Sequence, residues 1–128
     1  MTGKIKKIHL AFGGKLHGSK MMKKNVCEAV SRLPKPYIEH ITSDCWFLGS
    51  TEDAWAFTFS GSDIAGKHLI IISDDLLNQP YEQIHYTILH EIGHVILKHR
   101  NAILKPQTQN HIKKQEKEAD EFARKYLR

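Results

Sequence analysis

The sequence predicts an α+β domain: an N-terminal helix, a small three-stranded sheet, then two more helices. Three observations carry that expectation. Residues 19–33 place Met22, Val26, Ala29, Val30 and Leu33 on one helical face. Residues 37–72 lose the helical period and hold short aromatic or β-branched runs separated by turn residues. From Pro80 the helical period returns and, with one interruption, lasts to the end.

Each element has a local reason. Residues 1–18 read as a basic N-terminal arm and 19–128 as one domain. The first helix stops at Pro34 and Pro36. Trp46-Phe47-Leu48, Trp55 to Phe59 and Leu69 to Ile72 are the strands, with turns over Gly49–Asp53 and Gly61–Gly66. Ser73-Asp74-Asp75 closes the third strand. Pro80 suits a first helical position and Glu82 a first turn. Ile84, Ile88, Ile92, Val95 and Ile96 then form an apolar stripe through about residue 99. Asn101 to Asn110, with Pro106, is a loop, and the last helix starts near His111.

The chain has 128 residues, 41% hydrophobic and 26% charged, which fits one globular domain and excludes wholesale disorder. No apolar run approaches the ~20 residues of a membrane span. The apolar stretch after the basic start is shorter than a signal peptide's core needs, so the expected location is the cytoplasm. Cys27 and Cys45 lack metal or redox spacing and read as two buried thiols.

The net charge of +5 is segregated: +7 over residues 1–24, −7 over 25–97 and +5 over 98–128. The basic arm lacks the aromatic interleaving of a single-strand binder, which argues against direct nucleic-acid binding. Gly13 to Lys20 imitates a phosphate-binding loop, but Ser19 and Lys20 stand in the wrong order for one.

His90-Glu91-Ile92-Gly93-His94 lies inside the most helical segment. Histidines at i and i+4 differ by only about 40° around a helix, so both imidazoles can meet one metal ion. Glu91 is turned away by about 100° and can reach a water held there. Gly93 leaves room for close approach of a neighbouring element. A catalytic zinc site needs a third protein ligand and an open fourth position. Taking Ile112, Ala119, Phe122, Ala123, Tyr126 and Leu127 as the buried direction of the last helix, Glu116 points most nearly inward among its acids. Asp120, one turn on, is placed to accept a hydrogen bond from a ligating histidine.

His90-Glu91-Ile92-Gly93-His94 followed by Glu116-Lys117-Glu118-Ala119-Asp120-Glu121-Phe122-Ala123 resembles the ImmA/IrrE metallopeptidases. Leu69 to Asp75 is also similar to the strand and turn before the motif helix there, so the resemblance spans about residues 68–127. These enzymes are gluzincins, with glutamate as third ligand in a Glu-x-x-x-Asp arrangement. The resemblance implies a zincin-like domain with one zinc ion on His90, His94 and Glu116, and Glu91 as general base. It also implies a sheet edge strand, Ile70, Ile71 and Ile72, that receives extended substrate. The implied partner is a protein or peptide substrate; relatives often cleave a helix-turn-helix repressor. The length also fits the minigluzincins, which hold little beyond the catalytic domain.

The expected activity is therefore zinc-dependent endopeptidase, with the acidic middle block favouring basic peptide segments. A second reading keeps the scaffold as a latent or non-catalytic zinc-binding protein, its fourth position filled by a protein group. Among the other histidines, His85 and His99 lie about 140° from a ligand and read as surface or capping residues. His68 opens the third strand, and His111 and Tyr126 are both open as oxyanion donors. Trp46 and Trp55 read as sheet packing.

Overall fold

A computed structural model describes residues 3–50, 56–59, 67–98 and 109–127. In chain order these form α1 (Gly3–Phe12), a 3-10 turn (Gly13–Lys15), β1 (Leu16–His17), α2 (Lys20–Ser31) and α3 (Lys35–Asp44). There follow β2 (Cys45–Ser50), β3 (Ala56–Phe59), β4 (His68–Ser73), α4 (Asp74–Leu77), α5 (Tyr81–Ile96) and α6 (Gln109–Leu127). The fold is α+β, as expected. The three expected strands are β2, β3 and β4, and β1, at two residues, is too short to leave a periodic signal. The expected turn at Gly61–Gly66, and most of Gly49–Asp53 and Asn101–Asn110, lie outside the described residues.

Within the basic arm, residues 3–12 form a helix that packs on the core. Ile5, Ile8 and Phe12 recur at helical spacing on α1 and are buried, while Lys4, Lys6 and Lys7 stay exposed. Phe12 meets Phe47 edge-on with ring centroids 5.5 Å apart, so α1 is tied to the sheet. The lysine density hid this apolar stripe. Ser19 explains the end of the phosphate-loop imitation: its Oγ accepts from Met22 N at 3.1 Å and caps α2.

Residues 35–44 are helical rather than irregular. Pro34 and Pro36 do end α2's segment, but Pro36 also sits in the first turn of α3, where a missing N–H costs nothing. Ile41 and Thr42 face the core from α3.

The sheet runs in the order β1-β2-β4-β3, with β1, β2 and β4 parallel and β3 antiparallel to β4. Cys45, Phe47, Ile70 and Ile72 are fully buried against the helices. Trp46 and Leu48 alternate to the other face and are exposed, Trp46 stacking on His17; Trp55 lies outside the described residues.

Ile70, Ile71 and Ile72 are therefore not an edge. Ile70 pairs with Phe47 of β2 on one side and Thr58 of β3 on the other, so both backbone rims of β4 are already bonded. The edges among the described residues are β1 and β3.

Both cysteines are free and buried. Burial pushes the Cys27 thiol up to about 11 and Cys45 higher still, which keeps both protonated and inert. Among the described residues no helix is long and apolar enough to cross a membrane.

Candidate metal centre

Helix α5 starts after Pro80 with Glu82 in its first turn, where a negative charge meets the positive end of the helix. Ile84, Ile88, Leu89, Ile92 and Val95 are buried along it and fix its rotation. His90 and His94 then stand together on one flank, their ring centroids 4.9 Å apart and nearly perpendicular. Helix α6 packs across α5 through Ala119, Phe122 and Ala123. Its buried side also includes Gln115, whereas Ile112, expected to point inward, is exposed.

Gly93 is what lets the two helices approach. A Cβ there would meet Phe122 at 3.1–3.2 Å, tighter than nine in ten real Cβ contacts. The expected close approach at Gly93 is thus supplied by α6, the helix that bears the carboxylates.

One atom each of His90, His94 and Glu116 lies within 4.8 Å of the other two, so the three are close enough to hold a metal ion. His90 Nε2 is 2.9 Å from Glu116 Oε2, and His94 Nε2 is 3.2 Å from Glu116 Oε1. Ligand atoms at ~2.0–2.1 Å around a tetrahedral ion stand about 3.3 Å apart, close to the two histidine–Glu116 separations. The histidine side chains are 13% and 12% exposed and that of Glu116 is 54% exposed. Glu116 is exposed yet aimed at both imidazoles, which leaves one side of the cluster facing solvent.

Asp120 braces the His90 ring. Its Oδ1 lies 2.9 Å from His90 Nδ1, and a ring that donates there is the tautomer whose Nε2 is free to ligate a metal. Sequence reasoning missed a further member, Tyr86, whose hydroxyl donates to the same Asp120 Oδ1. Burial and the Asp120 carboxylate both hold the Tyr86 hydroxyl pKa up, keeping it a donor. The signal was available: Tyr86 is one turn before His90, on the face that carries both histidines.

The remaining candidates fall elsewhere. Glu91 is half-buried on α5, turned about 100° from His90 by helical geometry. Contrary to expectation His85 is buried; its Nδ1 accepts from Arg32 Nε at 3.1 Å. Tyr126 belongs to an aromatic cluster with Tyr37 and Phe122. His111 is exposed in the first part of α6, and His68 is half-buried on β4, 6.2 Å from the His40 ring. His99 lies outside the described residues.

Residues 78–128 match the model of a peptidase family, Peptidase U49. That segment contains α5, α6 and all of His90, Glu91, His94, Glu116 and Asp120. The match supports a peptidase family without singling out the ImmA/IrrE metallopeptidases. No curated protein and no solved structure matches the chain.

Proposed function

We propose that this protein is a zinc-dependent endopeptidase of gluzincin type. The observation that carries the reading is the convergence of His90, His94 and Glu116 within 4.8 Å, inside the segment similar to a peptidase family. Two imidazole nitrogens and one carboxylate oxygen are a donor set suited to zinc, and three protein ligands leave a fourth position for catalysis. When bound, zinc supplies Lewis acidity, polarising the scissile carbonyl and acidifying the attacking water.

The chain's own residues do the rest. Glu91 takes the proton from the attacking water and delivers it to the leaving amine. Asp120 holds the His90 ring in one orientation, and Tyr86 holds Asp120. An extended substrate pairs with β3, an edge strand and the strand that runs closest along α5. The acidic charge of residues 25–97 favours basic peptide segments, such as those of a DNA-binding repressor cleaved in the cytoplasm.

Zinc content and cleavage of an unfolded protein substrate, measured for wild type and Glu91→Gln, test this. The expected result is equal zinc and activity lost by at least a thousandfold in the variant. Full activity in Glu91→Gln contradicts the mechanism. Equal zinc with no cleavage by either form favours a non-catalytic zinc-binding protein instead.

A further inference from the structure

The lysines that crowd the start of the sequence lie on two neighbouring helices. Lys4 Nζ donates to Ser31 O at 2.9 Å, so the start of α1 meets the end of α2 and the two run antiparallel. The last turn of α1 therefore stands beside the first turn of α2. Residues 1–24 carry seven lysines and no acid.

Most of these cations are unengaged. Lys4 and Lys15 donate to the Ser31 and Phe12 carbonyls. Lys6, Lys7 and Lys20 are exposed and Lys23 is half-buried, and none of the four makes a hydrogen bond or ion pair among the described residues. Lys24 reaches Glu28 Oε1 only at 4.0 Å, and its side chain is 63% exposed.

An apolar residue stands among them. Leu10 is 77% exposed, four residues after Lys6 and three after Lys7. The three share the face of α1 opposite buried Ile5, Ile8 and Phe12. Unengaged ammonium groups suit an anionic surface, and an exposed leucine between them suits one with an apolar layer behind its charges. Duplex nucleic acid fits less well, because α1 has no Arg, Asn or Gln with which to read base edges.

The placement leaves the metal centre open. His85, which accepts from Arg32 beyond the end of α2, stands about 140° around α5 from His90. The α2 side of the molecule thus meets a different face of α5 from the one that carries the metal cluster.

We propose that the outer face of α1 and α2 docks on an anionic phospholipid surface. Lys6, Lys7, Lys20 and Lys23 meet the headgroup phosphates and Leu10 enters the boundary beneath them. The proposal does not depend on the proteolytic reading.

Co-sedimentation of the zinc-supplied full chain with vesicles tests it. The probes are vesicles of phosphatidylcholine alone, vesicles of phosphatidylcholine mixed with phosphatidylglycerol, and duplex DNA. Saturable binding to the mixed vesicles alone is expected, and high salt should remove it. Lys6→Gln with Lys7→Gln, and independently Lys20→Gln with Lys23→Gln, should weaken it at least tenfold. Lys113→Gln with Lys114→Gln removes the same charge from the exposed surface of α6 and should leave binding within about threefold. Leu10→Gln should weaken vesicle binding at least threefold, and Glu116→Ala should leave it unchanged. Equal binding to neutral vesicles, no binding to either kind, tighter binding of DNA, an equal loss in the α6 pair, or full binding by Leu10→Gln overturns the proposal.

Discussion

Asp120 Oδ1 stands 2.9 Å from His90 Nδ1, and this contact joins the helix of the two histidines to the helix of the two carboxylates. It decides which nitrogen of His90 faces the cluster. Asp120→Ala frees the imidazole to rotate and to change tautomer, so zinc affinity should fall by roughly 10–100-fold. Tyr86→Phe removes only the support of Asp120, and its loss should be smaller. Competition against a chelating dye reads both. Unchanged affinity in Asp120→Ala rules out the orienting role.

Gly93 and Phe122 set the separation of the same two helices. Alanine in a helix interior is favoured over glycine by about 1 kcal/mol. Here the added Cβ meets Phe122 at 3.1–3.2 Å, including the Cβ that anchors that ring to α6. Gly93→Ala should therefore move α6 outward, carrying Glu116 with it, and weaken zinc at least tenfold even where thermal stability is kept. Parallel calorimetric and metal-binding measurements separate the two effects; tight zinc binding by the variant contradicts the packing argument.

His85 makes stability depend on pH. Burial first, and then the Arg32 charge, lower its pKa from 6.5 to about 4. Above 6.5 the ring is neutral in both states and the fold has its full stability. As pH falls, the unfolded ring gains a proton that the folded ring refuses, so stability drops from pH 6.5 down to about 4. The loss is on the order of 3 kcal/mol. Urea unfolding of wild type and His85→Gln across this window measures it, the wild type losing more; parallel curves contradict the assignment.

Phe12 tests whether α1 belongs to the core. The side chain is fully buried against Phe47, so Phe12→Ala should cost roughly 3–5 kcal/mol in urea unfolding. Lys6→Gln and Lys7→Gln, on the exposed face, should stay within about 0.5 kcal/mol. A near-neutral Phe12→Ala restores the solvated-arm reading.

These cases also show what the chain discloses before it is folded. His90, His94 and Glu116 were legible because helical spacing is local: two positions four apart share a face, and a neighbouring carboxylate helix supplies the acid. Asp120 followed from the same periodicity. Tyr86 shared that periodicity and was still passed over, since a tyrosine on an amphipathic helix reads as packing until its hydroxyl partner is known. The β4 misplacement has a different origin. Whether Ile70 to Ile72 lie at a sheet edge depends on strand order, and order is set by long-range pairing to Phe47 and Thr58 that no local pattern encodes. The burial of His85 likewise follows from contact with Arg32, fifty-three residues away.

The most direct test is a zinc titration of the purified chain with X-ray absorption at the metal edge, repeated for His94→Ala and Glu116→Ala. One zinc per chain is predicted, bound through two imidazole nitrogens and one carboxylate and lost or greatly weakened in either variant. A wild-type chain that retains no zinc, or a Glu116→Ala chain that binds it equally well, contradicts the account.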